Sequence, residues 1–343
     1  MSKQQLSLIS VCIPVFNGEE YILDCINSVL EQNFTNYELL IVDNCSTDGT
    51  SNIVNNINDE RIRYIKNEEN IGSIRNFNKC IKEAHGEYFL LLPHDDLLLP
   101  GCLEQYVIKF DEPKVGFAYS SIRVVDENGN TKFTKVNHSE SRLFSSEETI
   151  TDIVDNFVPI QLAMARTEIL QRLGGFDIKF SLFSDVHLWL SVVFDGWKSS
   201  YNSEPLSCHR VHAQQGQNAF INPDLKTLSK HWGKELDRSF FVENSYNSLF
   251  LKLINFLLQE STAHGYNIKN ADTILLKLFI KLHLRSIFLA LFRFNGFILF
   301  QELVLIKSLL KTYSFKKVLF YYPYVIFYEI KNKLTDKVLS YTN

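Results

Sequence analysis

The sequence predicts an α/β protein, with a doubly wound, mostly parallel (mixed) sheet over residues 1–220 and a helical region over residues 221–343. Three observations predict it. Apolar runs of strand length alternate with segments of helical period through the first half of the chain, as in strand–helix–strand units with parallel strands. These runs are continuous rather than alternating, so each strand is buried on both faces. From Leu225 onward Leu, Phe, Ile and Lys dominate and proline is nearly absent, which favours helices. With 343 residues, 45% apolar and 22% charged, the chain can bury a sizeable core, and wholesale disorder is excluded.

Leu8 to Phe16 (LISVCIPVF) is the first strand, rich in β-branched residues. Tyr21, Ile22, Cys25, Ile26, Val29 and Leu30 then recur at helical spacing, with Asn17 as N-cap and Glu20 three residues on. Glu38 to Val42 is a strand that turns at Asp43 to Ser46 into a helix carrying Ile53, Val54 and Ile57. Arg61 to Ile65 is a shorter strand; Ile74, Phe77, Ile81 and Ala84 mark a helix, and Tyr88 to Leu92 the next buried strand. After Pro100-Gly101 come a helix around Leu103 to Phe110 and a strand from Gly116 to Ser121. Ile122 to Val125 and Thr131 to Phe133 form a hairpin around Asn128-Gly129, where the purely parallel pattern ends. Leu188, Trp189, Val192 and Val193 define the buried face of a later helix, and Pro205 to Cys208 a strand. Helical period persists through Leu249 to Leu258 and Ile274 to Ala290, and no internal repeat stands out.

The net charge of −4 hides an asymmetry: residues 1–224 carry −13 and residues 225–343 carry +9. A basic segment of this kind either meets an anionic surface, such as a membrane or an acidic partner, or presents a solvated lysine face. The six cysteines lack C-x-x-C spacing and read as reduced core residues. The N-terminal apolar run is short and holds Pro14, unlike a secretory h-region, so a cytosolic location is expected. Ile287 to Phe300 is interrupted by Arg293, Asn295 and Gly296 and falls short of a membrane span.

Ligands of open α/β sheets bind outside the carboxyl ends of the strands. Asn17, Asp43, Asp95 and Asp96 all fall there. Adjacent carboxylates repel one another unless a cation or hydrogen bonds compensate, and Mg²⁺ or Mn²⁺ commonly bridges one or two carboxylates to substrate phosphates. Asp96 could instead cap a loop or helix. Asp185 lies in the first turn of its helix, where the dipole favours the ionised form; it is either a general base or an ordinary helix-start residue. His212 follows a strand end and is a metal or diphosphate ligand or a structural histidine. Asp177, after Gly174-Gly175, either touches a bound hydroxyl or caps the turn.

The segments VCIPVFNGEEYI, IVDNCSTDGT, NIGSIRNFN, HDDLLLPG, LGGFD, SDVHLWL and HRVH resemble, in order, those of the family 2 inverting glycosyltransferases with the GT-A fold. The resemblance covers about residues 6–215. It implies that Pro14, Phe16, Asn17 and Glu20 line the nucleotide pocket, that Asp43 accepts a hydrogen bond from the base, and that Arg75 and Asp95 lie by the nucleotide. It also implies Asp95 and Asp96, with His212, as ligands of Mn²⁺ or Mg²⁺, Asp185 as catalytic base and Asp177 as an acceptor contact. Two departures stand out: Pro93 occupies the place of the first Asp of the family's DxD, and Ser184 that of a frequent Glu.

The expected activity is inverting transfer of a sugar, hexosyl or N-acetylhexosaminyl, from a nucleoside-diphosphate donor, UDP by resemblance. The expected acceptor is a hydroxyl of a glycan or lipid-linked glycan in capsule, lipopolysaccharide or other cell-surface polysaccharide synthesis. The basic C-terminal helices would rest on the inner face of the cytoplasmic membrane or on a second copy of the chain; no nucleic acid partner is expected. The alternative is a non-catalytic nucleotide-sugar-binding subunit of a membrane-associated assembly, favoured by Pro93. A nucleotidyltransferase is disfavoured, since the NGEE after Phe16 has one glycine where a phosphate loop needs several.

Overall fold

The structure, a computed structural model, describes residues 9–156, 162–212, 256 and 260. The chain divides into two compact units, Met1–Glu243 and Asn244–Asn343, and the elements below belong to the first. The helical region expected over 221–343 lies outside the described residues, apart from Phe256 and Glu260, which are both helical.

The first seven elements follow the expected alternation. β1 (Ile9–Val15), α1 (Ile22–Leu30), β2 (Tyr37–Asp43), α2 (Thr50–Asn55), β3 (Ile62–Lys66), α3 (Ser73–Glu83) and β4 (Tyr88–Leu91) build a parallel half-sheet in the order β3-β2-β1-β4. Every residue of β1 is buried, as its unbroken apolar run requires. Pro14 is tolerated there because the β1–β4 ladder ends at Cys12 and Leu91, followed only by Leu92 N–H donating to Cys12 O, so no partner awaits a donor at position 14.

The second half is mixed. β5 (Leu97–Leu98), α4 (Cys102–Val107), β6 (Val115–Val125), β7 (Thr131–Lys135), β8 (Arg142–Phe144) and α5 (Ser146–Asn156) are followed by β9 (Met164–Arg166), α6 (Thr167–Arg172), α7 (Ser184–Phe194) and β10 (Lys198–Arg210). The sheet continues β4-β9-β6-β10-β5, with β7 added to β6 and β8 to β10. β9 pairs antiparallel with both β4 and β6, so β6 and its partner β10 run in the same direction as β4. The three-residue β9 therefore joins the two halves.

One sheet face, through Val11, Ile13, Leu39, Leu90, Ala118 and Ile122, packs with residues of α1 and α4 such as Ile22, Ile26 and Tyr106. α3 packs on the same strands from the other side, where Trp189 of α7 stacks on Phe117 at 4.4 Å. Burying a side chain of this size stabilises by roughly 1.5–3 kcal/mol.

Several boundaries differ from those read in the sequence. α1 begins at Ile22, with Tyr21 rather than Asn17 before it, because Gly18 O already accepts the N–H groups of Tyr21 and Ile22. The strand expected at Gly116 to Ser121 and the hairpin arm at Ile122 to Val125 are one strand, β6. The Asn128-Gly129 turn is present, with Gly129 at φ +84 and Asp126 Oδ1 accepting the N–H groups of Asn128 and Asn130. β10 spans thirteen residues where only Pro205 to Cys208 were expected, since Ser199, Ser200 and Asn202 carry no apolar signal yet are buried. All six cysteines are free; five are buried and Cys45 is half-exposed.

Candidate active site

At the carboxyl ends of β1 and β2 two loops are laced together. Asn17 N–H donates to Ser46 Oγ (2.9 Å), Gly18 N–H to Thr50 Oγ1 (2.9 Å) and Glu19 N–H to Asp48 Oδ2 (3.0 Å). In return Thr47 N–H donates to Asn17 Oδ1 (2.9 Å) and Gly49 N–H to Glu19 Oε2 (2.6 Å). Asn17 thus fastens the neighbouring loop from a left-handed backbone at φ +52, a conformation Asn tolerates. Glu20, expected to line the nucleotide pocket, is exposed, and its neighbour Glu19 carries the bridge between the loops. Phe16 is half-buried, whereas Pro14 is buried within β1.

Asp43 ends β2 with no exposed surface. Its oxygens accept from Ser46 N–H at 2.7 Å, from the Ser51 hydroxyl at 3.2 Å and from the Tyr64 hydroxyl, and Lys66 Nζ stands 3.8 Å away. This carboxylate, expected to receive a base, is buried here and shapes the turn through these donors. Beyond it, Asn67 Nδ2 bridges Asn44 Oδ1 (3.0 Å) and Asn76 Oδ1 (2.9 Å), and Asn76 Nδ2 donates to Val42 O. This amide network fixes the start of α3, from which exposed Arg75 projects.

Across the cleft, the loop after β4 meets the end of β10. His212 Nε2 lies 3.0 Å from Asp95 Oδ2, and the His212 ring packs 4.9 Å from Tyr21. Arg210 is buried; its Nε donates to Asp95 O (3.0 Å), its Nη1 to Glu127 O (2.8 Å), and its guanidinium lies 4.7 Å over the Tyr21 ring. Burial acts to raise the Asp95 pKa, but the His212 hydrogen bond and the His94 charge outweigh it and bring it down to about 2.

Asp96, expected as a second metal ligand, behaves oppositely. It is fully buried, its Oδ1 accepts Arg210 N–H at 2.9 Å, and His209 Nδ1 lies 3.1 Å away. Burial raises its pKa despite His209, whereas Asp96 in turn overcomes burial to raise that of His209. Asp96 therefore anchors the β10 end and leaves Asp95 to face the cleft. Pro93 helps to build the turn, accepting Asp96 N–H at 3.0 Å.

Asp185 reaches the same end of the sheet by topology. α7 delivers its C-terminus to the start of β10, where Lys198 pairs with Val115 at the start of β6. Its first turn, one turn before the Trp189 stack on Phe117, therefore points toward the strands' carboxyl ends. Asp185 is half-buried, and burial raises its pKa to about 6, only partly opposed by backbone hydrogen bonds such as Val186 N–H at 2.7 Å. Asp177 caps the preceding turn, accepting Lys179 N–H at 2.9 Å, and remains half-exposed. Next to it Phe180 stacks on His187 at 3.9 Å. Burial lowers the His187 pKa to about 4, against the opposing charge of Asp177.

One carboxylate and one imidazole 3.0 Å apart suit Mn²⁺ or Mg²⁺ when phosphate oxygens complete the shell. Among the described residues no three His, Cys, Asp or Glu side chains gather to hold a metal alone. Asp95 and His212 therefore fit a cation shared with a diphosphate. Sequence reading missed the interlocking Glu19, Ser46, Asp48 and Thr50, although the S-T-D-G-T run is a turn signal. It also missed the asparagine network, which no spacing rule reveals.

Residues 10–174 match the family described as Glycosyl transferase family 2. The chain is 31% identical over 199 residues to the uncharacterized protein MT1568 of Mycobacterium tuberculosis, covering 54% of this chain and 62% of that one. It is 25% identical over 269 residues to WfgD of Escherichia coli, named a UDP-Glc:alpha-D-GlcNAc-diphosphoundecaprenol beta-1,3-glucosyltransferase, covering 77% and 97%. Among solved structures, Staphylococcus aureus TarS 1-349 superposes with a TM-score of 0.53 at 20% identity over 80% of each chain. Structures of the same TarS segment hold UDP-GlcNAc and UDP. That likeness is one of fold. Among the described residues no helix is long and apolar enough to cross a membrane.

Proposed function

With residues 10–174 matching the model of glycosyl transferase family 2, we propose that the protein is an inverting transferase that moves a sugar from a UDP-sugar to a hydroxyl of a glycan acceptor in cell-surface polysaccharide synthesis. The reading is supported by Asp185, a half-buried carboxylate in the first turn of α7 that accepts Val186 N–H at 2.7 Å and whose pKa burial raises to about 6. Such a group is ionised at neutral pH yet basic enough to take a proton.

The acceptor hydroxyl gives its proton to Asp185 as its oxygen attacks the anomeric carbon. The bond from that carbon to the diphosphate breaks on the opposite face, and the electron pair leaves with the nucleoside diphosphate. A divalent cation held by Asp95 and His212 supplies charge neutralisation for the diphosphate when bound. The laced loops after β1 and β2 and the start of α3 form the wall for the nucleoside, with Arg75 available to a phosphate. Asp177, half-exposed before α7, is the acceptor contact of this reading.

UDP as carrier is supported by the names of WfgD and of the TarS complexes. WfgD's name also supports a lipid-diphosphate-linked acceptor, and the excess of +9 over residues 225–343 suits an anionic membrane surface. Thermal shifts with UDP, UDP-Glc and UDP-GlcNAc, each with and without Mn²⁺, test the donor side. Stabilisation by UDP that grows with Mn²⁺ is expected, and no shift with any uridine nucleotide overturns the reading. The non-catalytic alternative, favoured by Pro93, predicts donor binding without slow donor hydrolysis.

A further inference from the structure

Asn78 lies half-buried on α3, one turn after Arg75 and on the same face. Its amide grips the backbone of Phe176, 98 residues away: Nδ2 donates to Phe176 O at 2.8 Å and Oδ1 accepts Phe176 N–H at 2.7 Å. Gly175 makes room for this grip. It has φ +71, and a Cβ there would stand 2.4 Å from Asn78 Oδ1. Phe176 is buried and meets Phe77 of α3 edge-on, with ring centroids 5.6 Å apart.

From Phe176 a continuous set of contacts runs to α7. Asp177 O and Oδ1 accept the N–H groups of Phe180 and Lys179, and Phe180 stacks on His187 in the first turn of α7, the turn that also carries Asp185. α3 carries Arg75 and starts in the asparagine network of the donor wall, whereas α7 carries the proposed base. We propose that Asn78 is a positioning residue that sets Asp185 against the donor wall through the Phe176 backbone. This inference rests on Asp185 being the base. A paired amide suits the task because two hydrogen bonds fix orientation as well as distance, and a displacement near 1 Å can lower a rate about 100-fold.

The test uses the full chain with donor and acceptor. Asn78→Asp keeps the acceptor for Phe176 N–H but sets an oxygen against Phe176 O; Asn78→Ala removes both bonds. Each is expected to lower kcat roughly 10- to 100-fold, with donor KM and the UDP-induced thermal shift held within about twofold. Gly175→Ala breaks the joint from the other side, and its effect on kcat should shrink once Asn78 is already Ala, because the clashing oxygen is gone. Unchanged kcat, independent multiplicative effects in the double variant, or kcat, KM and Tm falling in step each overturn the positioning role. Asp185→Asn, measured alongside, separates the two failures: if it retains turnover, the base assignment fails; if it is inactive while the Asn78 variants keep normal kcat, only the positioning role fails.

Discussion

Asp43 and Asp185 are carboxylates at one end of one sheet, yet the protein treats them in opposite ways. Asp43 has no exposed surface, and Ser46, Ser51, Tyr64 and Lys66 surround it with donors. Asp185 is half-exposed, with Val186 N–H at 2.7 Å and a pKa raised to about 6 by burial. A saturated carboxylate is a structural part; one taken partly out of water without a cation to compensate is poised for chemistry. The same contrast separates Asp96, fastened to Arg210 N–H and His209, from Asp95, which faces the cleft with His212.

The sharpest way to break this contrast is Asp185→Asn. Transfer should fall by about 10³-fold or more, with donor binding intact, since the general base is lost; a variant turning over near the wild-type rate would assign the proton transfer elsewhere. Asp43→Ala should do the reverse. It strands a buried cluster of donors and should lower stability by roughly 3 kcal/mol, read as a fall in the denaturation midpoint.

Two smaller effects sharpen the comparison. The folded pKa of Asp185, about 6, lies above the ordinary carboxylate value, so its stabilising contribution is present below about pH 4 and lost as pH rises through about 6. At pH 7 the charged group is therefore a liability, and Asp185→Asn should raise stability by roughly 1–3 kcal/mol even as it removes activity. In the wild type, kcat should decline below about pH 6 as Asp185 takes up its proton, and a profile flat down to pH 4.5 would contradict the raised pKa. Smallest of all, Glu19→Gln should weaken the lacing of the two donor loops by about 1 kcal/mol, seen as a modest rise in donor KM with kcat unchanged.

How much of this was legible in the sequence depends on the kind of signal. The parallel half could be read because burial on both faces writes itself as unbroken apolar runs, as in β1. Much of the second half could not. β8 and β9 are three residues each, and much of β10 is Ser, Asn and Glu, held by ladder bonds and neighbours distant in sequence. The site divides similarly. Asp95, His212 and Asp185 could be named from the order of segments, but sequence does not state which of two adjacent aspartates turns inward. That choice is made by Arg210 N–H and His209, more than 110 residues away. Pairings of that reach, like Asn78 with Phe176, exist only once the sheet is complete.

The sheet order has a consequence for synthesis on the ribosome. Among the described residues β9 and β10 are the last strands made, yet β9 sits between β4 and β6, and β10 between β6 and β5. A nascent chain that ends before Met164 has two half-sheets with no ladder between them, and their facing edges stay open to wrong partners. Closure waits for a three-residue strand, and until it emerges the two facing edges are exposed to mispairing.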